Sequence, residues 1–185
     1  MSRIILASGS PRRKEILEQV GLDFCVFPSD VEEVITKQVP SDIVMELSGQ
    51  KAEDVFKKVK GEQKIVLGAD TVVAYGGKVL GKPKNEEDAV NMLRMLSGKK
   101  HSVYTGVTLI SDKSRNTFYE ETMVEFYPMT EEEIEQYVAS GEPLDKAGAY
   151  GIQGKAAAFI KGIEGDYYNV VGLPIAKILK KLKKM

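Results

Sequence analysis

The chain contains one cysteine, Cys25, and one histidine, His101. A lone thiol closes no internal disulfide and cannot furnish a cysteine-rich zinc site. A lone imidazole argues against a Ser-His-Asp hydrolase and excludes a metal centre built from several histidines. An excess of charge of either sign is lacking too. Lys+Arg number 26 against 27 for Asp+Glu, so the formal net charge is −1 and the sequence pI is about 6.0. A duplex nucleic-acid binder carries a basic surplus, and this balance speaks against one. No run approaches the roughly 20 apolar residues of a membrane span. The opening run Ile4-Ile5-Leu6-Ala7 is too short for a signal-peptide core, and its basic residues follow it. These absences predict a reduced, cytoplasmic protein with no membrane partner. An enzyme of this composition would work through carboxylates, Lys and Arg, helped by a hard cation.

What is present is enough for one core. The 185 residues are 43% hydrophobic, without repeat, low-complexity linker or composition break, which predicts a single domain over residues 1–185. A strand is expected at Arg3–Ala7, then a turn and a helix Arg12–Val20 capped by Ser10, with Pro11 at its first position and Gly21 as its stop. Phe24–Phe27 reads as a short strand, and Ser41 as the cap of a long helix to Val59. Lys64–Leu67 reads as a buried strand ending in Gly68-Ala69-Asp70, followed by a hairpin of Thr71–Tyr75 and Lys78–Leu80 around Gly76-Gly77. Asn85 caps a helix that Gly98 ends, and Ser102–Ile110 and Thr117–Phe126 read as antiparallel strands. Thr130 and Glu133 have capping-box spacing for a helix to Ser140. Asp145–Gly154 is glycine-rich and loop-like, Ala157–Ile163 a strand candidate, and Leu173–Lys184 a lysine-rich terminal helix. The mixture without strict alternation predicts an α/β fold with a mixed, twisted sheet flanked by helices.

Several segments have the chemistry of a site. Ser8-Gly9-Ser10-Pro11-Arg12-Arg13 joins a strand to a helix start, whose free N–H groups and guanidinium forks suit an anion; an ordinary capped helix explains it almost as well. Asp70 follows an apolar strand, where open sheets hold ligands, and can bind Mg²⁺ or take a proton from water; a turn aspartate bonded to its own backbone is as good a reading. Gly76–Lys82 has Walker A spacing, but Pro83 stands where a Ser/Thr hydroxyl is required, so that motif is rejected. Lys82 can still serve phosphate as a point charge, or be a solvated turn lysine. Lys51 lies near the apolar flank of its helix and either snorkels or enters a cleft. Glu32-Glu33 is a solvated acidic pair, one of which could join Asp70 on a cation. His101 reads as a strand-end residue, and Cys25 as packed beside Phe24 and Phe27.

Taken in order, Leu6-Ala7-Ser8-Gly9-Ser10-Pro11-Arg12-Arg13, Gly68-Ala69-Asp70-Thr71-Val72-Val73, Gly81-Lys82-Pro83, Asp145–Gly154 and Val170-Val171-Gly172-Leu173-Pro174 resemble the Maf family of nucleoside triphosphate pyrophosphatases. The resemblance covers nearly the whole chain. It implies the fold shared with the inosine triphosphate pyrophosphatases, two lobes around a cleft, commonly in a homodimer. It implies cleavage between the α- and β-phosphates of a nucleoside triphosphate with Mg²⁺ or Mn²⁺. By position, Asp70 resembles the catalytic proton acceptor, and Ser8, Arg12, Lys51 and Lys82 the phosphate-handling residues. Glu33 resembles the acidic partner near the metal, while Arg13, Thr71 and Gln153 resemble the positions that govern base choice. The Ala149-Tyr150-Gly151-Ile152-Gln153-Gly154 form resembles the branch acting on dTTP and UTP. Two rivals stand beside it: a nucleotide- or nucleic-acid-binding regulator of cell division without turnover, and an enzyme preferring 7-methyl-GTP.

Overall fold

The structure is a computed structural model that describes residues 3–61 and 63–185. In chain order its elements are β1 (Arg3–Leu6), α1 (Pro11–Gln19), β2 (Phe24–Val26), α2 (Pro40–Lys58), β3 (Lys64–Tyr75) and β4 (Lys78–Leu80). They continue with α3 (Glu86–Leu96), β5 (Lys100–Ser111), β6 (Arg115–Phe126), α4 (Glu131–Ala139), β7 (Ile160–Glu164), α5 (Tyr167–Val171) and α6 (Ile175–Leu182). The strands form one seven-stranded sheet in the order β2-β1-β3-β5-β6-β7, with β4 paired to β3. β1 runs parallel to β2 and β3, whereas the β3–β4 and β6–β7 pairs are antiparallel. The expected mixed α/β sheet is therefore the fold.

The chain clusters into two compact units. The first comprises Met1–Asp70, Thr105–Glu120 and Gly172–Met185; the second comprises Thr71–Tyr104 and Glu121–Val171. In the first unit Ile5, Ala7, Ala52, Val55, Val66 and Ile110 form an apolar cluster, with Cys25 packed against it as expected. The terminal helix α6 buries Ile175 and Ile178 while Lys177 donates to the Tyr119 carbonyl at 2.8 Å and pairs with Glu120. Its apolar stripe is docked, while the ammonium groups of Lys177 and Lys181 lie over the Phe118 ring, each 5.6 Å from its centroid. In the second unit Val73, Leu93, Leu96, Val103, Phe126, Ile134 and Tyr137 belong to a larger core. The Gly76-Gly77 turn has positive φ at both residues (57° and 76°), the type I′ geometry that closes the β3–β4 hairpin.

Four local expectations are corrected. β3 does not stop before Asp70 but continues to Tyr75, because Gly68 is a contact residue and not a breaker. A Cβ there would lie 2.8 Å from the Ala52 amide nitrogen and would overlap the Ser48 carbonyl, so the missing side chain lets α2 sit close against the strand. Helix α2 begins at Pro40, whose fixed φ suits a first helical position, and Ser41 lies inside the helix without capping it. Ala157–Ile163 splits into a 3₁₀ stretch, Lys155–Phe159, and strand β7. The expected helix Leu173–Lys184 is the shorter α6, preceded by the unanticipated α5.

Candidate active site

The parallel pairing of β1 with β3 ends at Leu6 opposite Leu67, and β3 alone runs on through Gly68, Ala69 and Asp70. The carboxyl ends of parallel strands are where open sheets leave room for ligands. Here the chain after β1 turns through Ser8-Gly9-Ser10 into α1, whose first residue is Pro11. Ser10 occupies the cap position, but its side chain accepts no helix N–H. Instead the Ser8 Oγ accepts from the Ser10 amide at 3.3 Å and from Arg13 Nη1 at 3.0 Å.

Arg13 ties this loop to two other stretches of the same unit. Its Nη1 also donates to the Ala69 carbonyl at 2.9 Å, and its Nε to the Gly172 carbonyl at 2.9 Å. Burial lowers the Arg13 pKa, with the charge of Asp70 opposing that shift. A guanidinium stays protonated under such conditions, so Arg13 is a half-buried cation fixed by carbonyls near Asp70.

Asp70 is only 13% exposed at its side chain, and Lys51 Nζ lies 2.5 Å from its Oδ1. The same ammonium lies 2.9 Å from Glu33 Oε1. Of the two readings of Lys51, snorkelling therefore fails: the lysine turns to a carboxylate pair. Burial raises the Asp70 pKa above the ordinary carboxylate value, against the pull of Lys51 and Arg13 towards the ionised form. A carboxylate so placed is a stronger base than a solvated one.

Glu33 reaches Lys51 because its loop is strapped along α2. Gln50 accepts from the Val34 amide (3.0 Å) and donates to the Val34 carbonyl (2.6 Å). Glu46 accepts from the Thr36 amide (2.9 Å) and hydroxyl (2.5 Å), and Asp54 accepts from Ser29 (2.7 Å). Glu46, Gln50 and Asp54 recur every four residues, a polar stripe on one helix face that periodicity could have flagged. Sequence reasoning missed all three.

Ser8, Arg13, Glu33, Lys51 and Asp70 are thus brought together in the first unit, with Arg12 close enough to Arg13 to depress its pKa. Lys82, Thr71 and Gln153 belong to the second unit. Thr71 follows Asp70 in β3, while Lys82 and Gln153 lie on exposed turns, the first in a segment anchored by the Gly148 amide to the Gly81 carbonyl at 3.0 Å. His101 takes no part: it is buried in β5, edge-on to Phe126 and Tyr150, with Nε2 2.8 Å from the Tyr150 hydroxyl.

For a divalent cation, no group of three or more acidic, His or Cys ligands exists among the described residues. Mg²⁺ and Mn²⁺ at phosphate sites need only one or two carboxylates, the substrate supplying further oxygens. Asp70 and Glu33, converging on one ammonium, fit that requirement. No helix among the described residues is long and apolar enough to cross a membrane.

Comparison with known proteins gives a consistent result. The model of the family described as Maf-like protein matches residues 3–185. A dTTP/UTP pyrophosphatase of Agathobacter rectalis is 57% identical, covering 100% of this chain and 98% of its own. Another dTTP/UTP pyrophosphatase, from Bacillus cereus strain G9842, is also 57% identical, with 100% and 96% covered. Among solved structures the Staphylococcus aureus Ham1 protein is a looser likeness, with a TM-score of 0.47 and 16% identity over 68% of this chain and 72% of that one. Motifs, their order and full-length similarity agree: this chain belongs to the Maf family.

Proposed function

We propose that this chain hydrolyses dTTP and UTP to the nucleoside monophosphate and pyrophosphate, with Asp70 as the proton acceptor. The observation that carries the reading is the Lys51 ammonium held 2.5 Å from Asp70 and 2.9 Å from Glu33 beside the Arg13-braced Ser8 loop. The names of the 57% identical relatives support the pyrimidine nucleotide over 7-methyl-GTP, and turnover over mere binding.

The chemistry asks the protein mainly for positioning and charge neutralisation. Ser8 and Arg12 at the positive end of the α1 dipole take phosphate oxygens, with Lys82 assigned to the same task on its motif position. Lys51 exchanges part of its attraction to Asp70 for the incoming polyanion, which leaves the Asp70 carboxylate to receive a proton from the attacking water. A Mg²⁺ or Mn²⁺ ion held by Asp70 and Glu33 would polarise the phosphoryl group and offset its charge. Arg13, Thr71 and Gln153 are assigned to base choice. The Gln153 amide offers a donor and an acceptor, the pattern that matches the imide edge of uracil or thymine.

One functional domain over residues 1–185, a homodimer and a cytoplasmic location complete the proposal; light scattering tests the dimer. The activity is tested by release of pyrophosphate from dTTP, UTP, dCTP and 7-methyl-GTP, with and without Mg²⁺. Release from dTTP and UTP that requires the metal is expected. Binding without release, or a preference for 7-methyl-GTP, would overturn the reading.

A further inference from the structure

The turn that carries Gln153 hangs from two side chains on either side of the end of α4. Tyr137 is buried in the core of its unit, its ring packed edge-on to Phe159 with centroids 5.6 Å apart. Its hydroxyl accepts from the Gly151 amide at 3.3 Å and donates to Glu142 Oε1 at 3.0 Å. The other oxygen, Glu142 Oε2, accepts from the Lys155 amide at 3.0 Å. Gly151 and Lys155 stand two residues before and two after Gln153, so both shoulders of that turn are fastened to one Tyr137–Glu142 pair. Gly154 has no side chain because the carboxylate fills the space: a Cβ would lie 2.5 Å from Glu142 Cδ and 2.7 Å from Oε2. Lys146 closes the base of the loop by donating to the Glu142 carbonyl at 2.7 Å. Burial raises the Tyr137 pKa far above its ordinary value, so the phenol keeps the proton it donates.

We propose that Tyr137 and Glu142 are positioning residues for base discrimination, holding the Gln153 turn in the one conformation that presents its amide to a pyrimidine. The inference rests on the assignment of Gln153 to base choice. A donor–acceptor match rejects the wrong base only if the amide is fixed; a turn released from its anchors lets the amide satisfy itself with water. The polar anchors bond to backbone amides, so they constrain the turn whatever its exposed side chains do.

The test is the ratio of kcat/KM for dTTP over dCTP, together with amide hydrogen exchange at Gly151 and Lys155. Tyr137→Phe keeps the ring and removes both hydroxyl bonds. We expect it to lower the ratio about tenfold, by raising KM for dTTP more than it lowers kcat, and to speed exchange at both amides. Glu142→Ala should do the same, and Glu142→Gln, which keeps one acceptor oxygen, should recover part of the ratio. Gly154→Ala should lower the ratio alone but add nothing in the Glu142→Ala background, where its Cβ has room. An unchanged ratio in Tyr137→Phe, with exchange accelerated, would overturn the inference while Gln153→Ala still lowers the ratio. If Gln153→Ala itself leaves the ratio unchanged, the base-choice assignment fails and this inference falls with it. Should Glu142→Ala not fold, Tyr137→Phe alone decides.

Discussion

In the first compact unit desolvation shifts Arg13 and Asp70, each tied to a charged or carbonyl neighbour; in the second it shifts His101, Tyr137 and Tyr150, set among rings. The same cost, desolvation of a charge, is met in opposite ways. Around Asp70, Lys51 and Arg13 oppose the cost by favouring the ionised form. Around His101, with Phe126 and Tyr150 edge-on, burial instead pushes the imidazole down to about 4, so it is neutral near pH 7. A charge held at the carboxyl end of a parallel strand marks a candidate ligand site; an imidazole neutralised among rings marks packing. The lone histidine of the sequence is core, and the proposed chemistry rests on a carboxylate.

The sharpest way to break that contrast is to exchange the roles by mutation. Asp70→Asn preserves shape and should fold, as circular dichroism would confirm, yet lose about a thousandfold in dTTP turnover. His101→Gln should leave turnover near that of the parent chain. If the asparagine variant retains substantial activity, or the His101 variant loses it, the division between the two groups is wrong.

A smaller effect separates them by pH. An unfolded histidine binds a proton near pH 6.5, whereas folded His101 does so only near 4. Between those values the unfolded state holds more protons, so stability falls as pH falls through this window and is fully present above it. The full shift corresponds to about 3 kcal/mol. Urea unfolding of the parent and His101→Gln at pH 7 and pH 4.5 should show a steeper loss in the parent. Parallel losses would mean that the imidazole titrates normally.

Glycines at close approaches give the next comparison. Gly68→Ala forces a Cβ against the backbone of α2 at Ser48 and Ala52, and should destabilise by about 2 kcal/mol. Gly162→Ala in β7 meets nothing within 4 Å and should be nearly neutral. Thermal unfolding of the two variants checks this; equal shifts would mean that α2 can move away from β3.

Local signals carried most of the secondary structure, because turns and caps are settled by neighbouring residues. The Gly76-Gly77 hairpin and the Thr130–Glu133 box are where the spacing put them. Gly68 misled because the same residue serves a turn and a helix contact, and only the partner helix decides which. The convergence of Lys51, Asp70 and Glu33 was expected from the family resemblance, while their spacing alone left each with a bland alternative. Glu46, Gln50 and Asp54, which hold the Glu33 loop, escaped notice because their partners are backbone groups and hydroxyls of an irregular segment, which leave no pattern in the sequence. Glu142 escaped for the same reason.

The smallest prediction concerns two helix starts whose sequences look equally well capped. In the second unit Thr130 accepts from the Glu133 amide at 3.2 Å, and Glu133 Oε2 returns to the Thr130 amide at 2.7 Å, so both halves of the box are made. In the first unit Ser10 holds the cap position of α1 with its carbonyl alone, accepting the Lys14 amide at 3.2 Å, while its side chain makes no cap bond and the loop is organised by Ser8 and Arg13. Thr130→Ala should therefore cost about 1 kcal/mol in urea unfolding, and Ser10→Ala much less. A helix start also presents the positive end of its dipole to an anion. Accordingly, a saturating nucleotide should stabilise the chain through the Ser10 end, and the Ser10→Ala variant should gain as much from it as the parent. Equal losses at the two positions without nucleotide would mean that Ser10 caps α1 after all.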